Sequence, residues 1–485
     1  MSNGSGVNEA LIREVVEQVL NRLDGVSPSS SKSNSTAGAA KRVYGVFQDA
    51  AEACTAAEAA YKQLQAKGIA GRNAVIDIVK QLTTDHAAEW GKIELEETKI
   101  GRLDHKIDKL LGLKNLPGVE FLKPNGMSGD HGITMEEYTP FGVVGAITPS
   151  THSIPTLACN VISMVAAGNS VVFNPHPGAA RCATVATRII NEAIFHKLGI
   201  ENLVSIVEHP TLESFQTIAT SPYVKLLCVT GGPGVVSAAM KSGKRAVCAG
   251  PGNPPVLVDE TANLPKAAEG IITGGAYDNN LLCIGEKEVF VVESIFNRFM
   301  EAMTQAGAFK LTSSQIDQLA SKAFVDSGKG VGCSTHKVVN RELVGRDASV
   351  LAKVAGASTP EGCVMLFGET DFSHLFVQEE QMMPFIPVVK VRDVEEGIQK
   401  AVEAEHGYKH TAIIHSFNVN HMTAMARALD TTLFVKNGSS LCGLGSGGEG
   451  YSSFSIATPT GEGITTPRTF TRIRRCVMVD NLRIY

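Results

Sequence analysis

The spacing of hydrophobic positions changes character along the chain. In residues 7 to 24, VNEALIREVVEQVLNRLD, Ile12, Val16, Val19 and Leu23 recur at helical spacing with Leu20 beside them, while Glu14, Glu17, Asn21 and Arg22 take the other faces. The pattern predicts a short amphipathic helix within residues 1–24. The Ser-, Gly- and Ala-rich stretch over residues 25–41 has no apolar period and predicts a flexible linker. A helix tethered in this way either docks on its own domain or lays its apolar stripe in a partner's groove.

From about residue 42 to 112 the sequence is Ala-rich with helical periodicity, and after it short apolar runs alternate with helical segments. GVVGAIT (142–148), SVVFN (170–174), NLVSIV (202–207), KLLCVT (225–230) and PVLVD (255–259) predict strands, with a helix over ARCATVATRIINEAIFHK. Short, β-branched runs separated by helices imply a parallel α/β sheet covered on both faces. EVFVV (288–292), VVKV (388–391) and TAIIHS (411–416) predict a second α/β segment, so that two lobes meet near Cys283.

Composition narrows the function. The 485 residues exceed one typical domain, and 44 % hydrophobic with 19 % charged residues is ordinary for a globular protein. A net charge of −5 leaves no basic footprint for nucleic acid, which directs attention to a small-molecule partner. No apolar run approaches the roughly 20 residues of a membrane span, and the first residues lack the order of a secretion signal, so the expectation is a cytosolic protein. The ten cysteines are scattered without a C-x-x-C or a paired Cys/His spacing, which argues against a metal site and a disulfide framework.

Four stretches carry candidate chemistry. Gly443 to Gly448 satisfies G-x-G-x-x-G, but no helical pattern follows it, and it reads as a glycine loop. Gly231, Gly232, Pro233 and Gly234 follow a strand and precede VVSAAMKSG, which puts a helix N-terminus over the strand end. His406 and His410 have the i, i+4 spacing of a helical metal pair without the adjacent Glu of a zincin, and Gly407 weakens the helix. In NNLLCIGEKE, Cys283 has Asn279 and Asn280 before it and Gly285, Glu286 and Lys287 after it. It reads either as a nucleophile with amide donors for an oxyanion or as a buried core cysteine.

The ordered set PFGVVGAITPS, SVVFNPHPGA, TGGPG, AGPGNPPVLVD, NNLLCIGEKE and EEQMMPFIPVVKV resembles the aldehyde dehydrogenase superfamily over nearly the whole chain after the linker. Within it the match is close to the CoA-acylating aldehyde dehydrogenases of bacterial microcompartments. The resemblance implies an α/β fold with a Rossmann-type nucleotide-binding domain (42–250, with 442–467 returning to it) and an α/β catalytic domain (251–441). It also implies an oligomerisation arm (468–485, with about 122–139) and a homodimer or homotetramer. Cys283 would attack a short-chain aldehyde, propionaldehyde or acetaldehyde, and hydride transfer to NAD would leave a thioester that coenzyme A takes over, acting in an overlapping site.

Further implications attach to single positions. Ala249 stands where hydrolytic relatives carry the glutamate that activates water, which favours acyl-CoA over a carboxylic acid as product. His152 replaces the oxyanion-hole asparagine and would donate from a ring N–H, or act as an imidazolium on the thiol. Asn174 replaces the lysine used on the adenosine ribose. The nucleotide would lie over Thr148, Pro149, Asn174, Pro175, His176, Pro177, Thr230, Gly231, Gly232 and Gly234, with Glu380 holding the nicotinamide ribose. The N-terminal helix would dock on a microcompartment shell protein and place the enzyme inside that compartment.

Overall fold

The computed structural model describes residues 42–326 and 337–481, so the helix and linker expected before residue 42 lie outside the described residues. After β1 (Val46–Phe47), the helix Ala50–Asp85 starts on Asp49, whose carboxylate accepts the backbone N–H groups of Ala51 and Glu52. Its buried stripe of Ala53, Ala57, Ala60 and Leu64 is small enough for close approach to the sheet. Helices Ala87–Thr98 and Leu103–Gly112 follow, and then the hairpin of β2 (Asn125–Gly129) and β3 (Gly132–Pro140).

The next strands, β4 (Val143–Thr148), β5 (Ser170–Pro175), β6 (Val204–Val207), β7 (Val224–Thr230) and β8 (Arg245–Ala249), join β1 in a six-stranded parallel sheet of order β1-β6-β5-β4-β7-β8. All six residues of β5 and all four of β6 are buried, which explains their unbroken apolar character in the sequence. The chain moves outward from β4 to β6 and then returns to the other side of β4 with β7. That reversal opens a crevice beyond the carboxyl ends of β4 and β7, where α/β sheets bind ligands.

β9 (Pro255–Val258), β10 (Glu288–Val292), β11 (Phe309–Lys310), β12 (Leu366–Glu369), β13 (Phe385–Val391), β14 (Thr411–His415) and β15 (Leu433–Lys436) form a second parallel sheet, order β11-β12-β13-β10-β9-β14-β15. Each sheet carries its own large apolar core, one centred on Val144, Val171 and Phe173, the other on Leu257, Phe290 and Ile413. Cys283 lies in the connection that enters β10.

A third sheet, β2-β3-β16, is antiparallel; β16 (Thr471–Val479) pairs with β3 from Thr471 opposite Pro140 to Val479 opposite Gly132. Its other edge has no partner strand among the described residues. Ile473 and Val479 are 67 % and 69 % exposed there, an apolar edge that a lone strand does not ordinarily show to water.

Candidate active site

The crevice beyond β4 and β7 opens into a cavity of about 600 Å³. Thr148, Pro149, Asn174, Pro175, His176, Pro177, Thr230, Gly231 and Gly232 line it from the first sheet, and Cys283, His152 and Glu380 line it too. Gly234 is the one expected site residue outside the lining; it is the second residue of helix Pro233–Lys241, behind Pro233. Gly232 caps that helix without a side-chain bond, so backbone N–H groups at its start are left for a ligand.

Cys283 is brought to the cavity by an unusual turn. Asp278, Asn279 and Asn280 have φ of 48°, 56° and 66°, three consecutive non-glycine residues in the left-handed region. Asn and Asp enter that region most readily among residues with a side chain, and each still needs its surroundings to hold it there. Asp278 accepts the Arg102 N–H at 2.7 Å and pairs with Lys109, while its own N–H donates to His105 Nδ1 at 2.8 Å. Asn279 Nδ2 donates to the Gly345 carbonyl and to Asp347 Oδ1. Asn280 Nδ2 donates to the carbonyls of Gly275 and Glu286. Both amides are therefore committed to the turn, and the expectation that they serve as oxyanion donors is corrected.

Behind the loop, Lys287 is fully buried and donates to the Asn280 carbonyl at 2.9 Å, to Asn280 Oδ1 and to the Leu282 carbonyl at 3.4 Å. Burial lowers its pKa, against the opposing influence of Glu380. Glu286 accepts the Ser440 N–H and hydroxyl, each at 2.8 Å, and tethers the loop to the turn before the Gly443–Gly448 stretch. Gly274 must be glycine for this: a Cβ there would stand 2.0 Å from Glu286 Oε2. A Cβ on Gly252 would stand 2.6 Å from the Cys283 carbonyl and 2.9 Å from His410 Cγ, so the nucleophile loop is flush against the chain leaving β8.

Burial pushes the Cys283 thiol up to about 12, with Glu380 adding to the rise and Lys287 and the N–H groups of Cys283 and Ile284 opposing it. Those two N–H groups face the sulfur side of the loop, where an oxyanion would form. Burial raises Glu380 to about 7, again against Lys287. His152 is pushed well below the ordinary imidazole range by burial and by Lys109 and Lys106, so the ring is neutral at neutral pH. This corrects the imidazolium alternative and leaves a neutral ring whose Nδ1 is 2.9 Å from Thr151 Oγ1.

The Asn174 carbonyl accepts the Ser214 hydroxyl at 2.6 Å and its amide donates to the Thr211 carbonyl at 3.3 Å, so this side chain chiefly joins β5 to the start of helix Leu212–Thr220. His406 and Gly407 take φ of 57° and 74°, which breaks the helix that a metal pair with His410 requires. His410 is instead a buried ring beside Gly252, its Nδ1 2.8 Å from Thr411 Oγ1 and its pKa pushed down to about 4 by burial. Ala249 ends β8 in the cavity wall and brings no proton acceptor.

Lys287, Glu286, Lys109 and His410 were not identified as parts of the site from the sequence. The signal available was charge in the wrong place: Glu-Lys-Glu entering a buried strand, and two lysines on a helix beside a buried aspartate.

Parallel sheets meeting at a nucleotide crevice, with a cysteine held on a clamped loop, agree with a match of residues 21–465 to the aldehyde dehydrogenase family; the chain belongs to that family. Acylating aldehyde dehydrogenases are among the proteins it resembles over nearly its whole length. It is 43 % identical over 484 residues to the acetylating acetaldehyde dehydrogenase of Salmonella typhimurium, covering 99 % of this chain and 100 % of the relative. The crystal structure of Rhodopseudomonas palustris propionaldehyde dehydrogenase with bound propionyl-CoA superposes with a TM-score of 0.87 at 41 % identity, covering 94 % of this chain and 99 % of that one. The same enzyme has been solved with bound CoA and an acylated cysteine. A propionaldehyde dehydrogenase from the Clostridium phytofermentans fucose utilisation bacterial microcompartment superposes with a TM-score of 0.87 at 41 % identity over 91 % of this chain and 100 % of that one.

Proposed function

We propose that the chain is an NAD-dependent, CoA-acylating aldehyde dehydrogenase that converts a short aliphatic aldehyde, propionaldehyde or acetaldehyde, to its acyl-CoA. The observation that carries this reading is the single cavity in which the cysteine thiol, a carboxylate near neutral pKa and a free helix N-terminus converge while Ala249 leaves no acceptor on the β8 side. NAD, held over Thr148, Asn174 and the start of helix Pro233–Lys241, would accept the hydride from the aldehyde carbon, and CoA would then accept the acyl group.

The chain's own residues do the rest. As the Cys283 sulfur bonds to the aldehyde carbon, its proton passes to solvent through the open cavity, and the carbonyl oxygen takes the negative charge within reach of the Cys283 and Ile284 N–H groups. His152, being neutral, offers a second donor from its ring. When the hydride leaves, the carbonyl re-forms as a thioester on Cys283. Attack by a thiolate at that carbon expels the Cys283 sulfur as a thiolate, which takes a proton back from solvent and restores the site. The apolar wall of Leu281, Met382, Phe454 and Ile456 suits a short alkyl chain and keeps water from competing. Glu380, in the cavity lining, would hold the nicotinamide ribose through its carboxylate.

The test is NADH formation from propionaldehyde with and without CoA, with the product identified by mass spectrometry. CoA-dependent formation of propionyl-CoA is expected; propionate formed without CoA would overturn the reading.

Assembly and location belong to the same proposal. The unpaired edge of β16, with its exposed Ile473, Val477 and Val479, is an arm that adds to a second copy's sheet and makes a homodimer or homotetramer. Residues 7 to 24, which lie outside the described residues, supply the apolar stripe that docks on a microcompartment shell protein. Deleting residues 1–40 is expected to abolish co-purification with shell proteins and to leave the oligomer intact; unchanged co-purification would sink the docking role.

A further inference from the structure

His152 stands at the N-cap of helix Ser153–Ala166, a place where the side chain ordinarily turns back to accept a backbone N–H of the first turn, yet its ring makes no such bond. The N–H of Ile154 is taken instead by Glu94 Oε2 at 2.9 Å, from 60 positions earlier in the chain. A carboxylate there also answers the positive end of the helix dipole. Because a distant residue satisfies the helix start, the imidazole is left to line the cavity.

The same carboxylate has a second partner. Glu94 Oε1 accepts Lys106 Nζ at 3.0 Å, and Lys106 Nζ lies 4.0 Å from Asp278 Oδ2, which also pairs with Lys109. Asp278 opens the left-handed turn that leads to Cys283, and its Oδ1 holds the Arg102 N–H at 2.7 Å. Two carboxylates and two ammoniums are thus buried together, each residue 3 % exposed or less, without net charge. Apolar side chains of the same volume would hold helices Ala87–Thr98 and Leu103–Gly112 together at least as firmly, so stability does not account for the cluster. What it adds is direction: one end is fixed on the helix that begins after His152, the other on the turn that carries Cys283. The close packing this needs is built in, since a Cβ on Gly91 would stand 3.1 Å from Ile107 Cγ1 and one on Gly101 would stand 2.3 Å from Asp278 Oδ1.

We propose that Glu94 is a positioning residue for the oxyanion site: it ties the start of the His152 helix, through Lys106, to the Cys283 turn, so that ring donor and thiol keep one fixed separation. The proposal rests on the reading that Cys283 attacks the aldehyde and that His152 donates to the oxyanion formed. Glu94 is not in the cavity lining and acts only through the two segments it joins.

Steady-state kinetics of the full chain with propionaldehyde, NAD and CoA tests this, in a cycle that combines Glu94→Gln/Lys106→Met with His152→Phe. The neutral pair keeps an acceptor for the Ile154 N–H, cuts the tie to Asp278 and leaves no buried ammonium unpaired. It is expected to lower kcat at least about tenfold, the scale of a slightly misplaced reacting group, with NAD affinity kept within about twofold. In the His152→Phe background the same pair is expected to change kcat by less than about twofold, because the donor it positions is gone. Glu94→Asp keeps the charge but is a methylene too short to span both partners; it is expected to behave as the neutral pair does, and decides the matter if that pair does not fold. Losses that multiply in the cycle overturn the proposal, as does wild-type kcat in the neutral pair. A fall in NAD affinity parallel to kcat also overturns it, since that marks a disturbed fold. Full activity in His152→Phe, or no CoA-dependent propionyl-CoA from wild type, would instead overturn the functional reading beneath it.

Discussion

The Lys287 ammonium lies 2.9 Å from the carbonyl oxygen of Asn280, and this bond closes the loop on which Cys283 is carried. Replacing Lys287 with Met removes the donor and leaves the Asn280 carbonyl and its amide oxygen buried without a partner, while the Leu282 carbonyl keeps the Gly285 N–H at 3.0 Å. Bonds to a charged donor contribute about 1.5–3 kcal/mol each, and unsatisfied buried acceptors cost on the same order. Lys287→Met is expected to lower Tm by several degrees and kcat/KM at least about a hundredfold. Thermal unfolding and steady-state kinetics check both; wild-type kinetics in the variant would mean that the loop holds without its clamp.

Cys283→Ala is expected to abolish turnover while folding and NAD binding persist. The thiol's pKa is raised to about 12, so its thiolate fraction, and with it the rate of alkylation at Cys283, should climb with pH without levelling off below about pH 10. Peptide-resolved mass spectrometry after timed iodoacetamide exposure separates Cys283 from the exposed Cys476. A plateau near pH 7 would indicate a thiolate far more stabilised than the loop's geometry provides.

Glu380 titrates near pH 7 because burial raises its carboxyl. A raised carboxyl is protonated below that pH, and in that state it is a weaker acceptor for a ribose hydroxyl. KM for NAD should therefore rise as pH falls through about 7. In Glu380→Gln it should be high and independent of pH. A wild-type KM that is flat between pH 6 and 8 would remove Glu380 from the ribose role.

His152 is neutral throughout the working pH range, so no limb of the pH profile should belong to it. His152→Asn keeps a polar donor in the same place and is expected to retain activity within about tenfold, whereas His152→Phe loses the donor and about a hundredfold or more of kcat. Loss of all activity in His152→Asn would mean that the imidazole has a role an amide cannot fill.

Much of the frame was legible because buried parallel strands announce themselves. Val143–Thr148, Ser170–Pro175 and Glu288–Val292 each fall within a residue or two of the apolar run that predicted them. The helix after Gly231–Gly234 was legible from its glycines and proline. What local pattern could not convey was where long-range bonds end. Asn279 looked like a free donor, but its partners, Gly345 and Asp347, become neighbours only in the folded chain. Lys109 and Asp278 are 169 positions apart and meet in the interior. The helix that a His406–His410 metal pair would need is broken for a local reason, since two successive left-handed residues cannot belong to a right-handed helix.

The cavity of about 600 Å³ has a consequence at the scale of the cell. On the proposed function, NADH and CoA take turns in this one space, so that reduced cofactor that is not re-oxidised nearby would stay in the seat of the acyl acceptor and the acyl group would wait on the enzyme. The protein then works as a throttle: its output follows the local ratio of free CoA to NADH as much as the supply of aldehyde, and a reactive aldehyde is consumed only as fast as its surroundings can carry the electrons away.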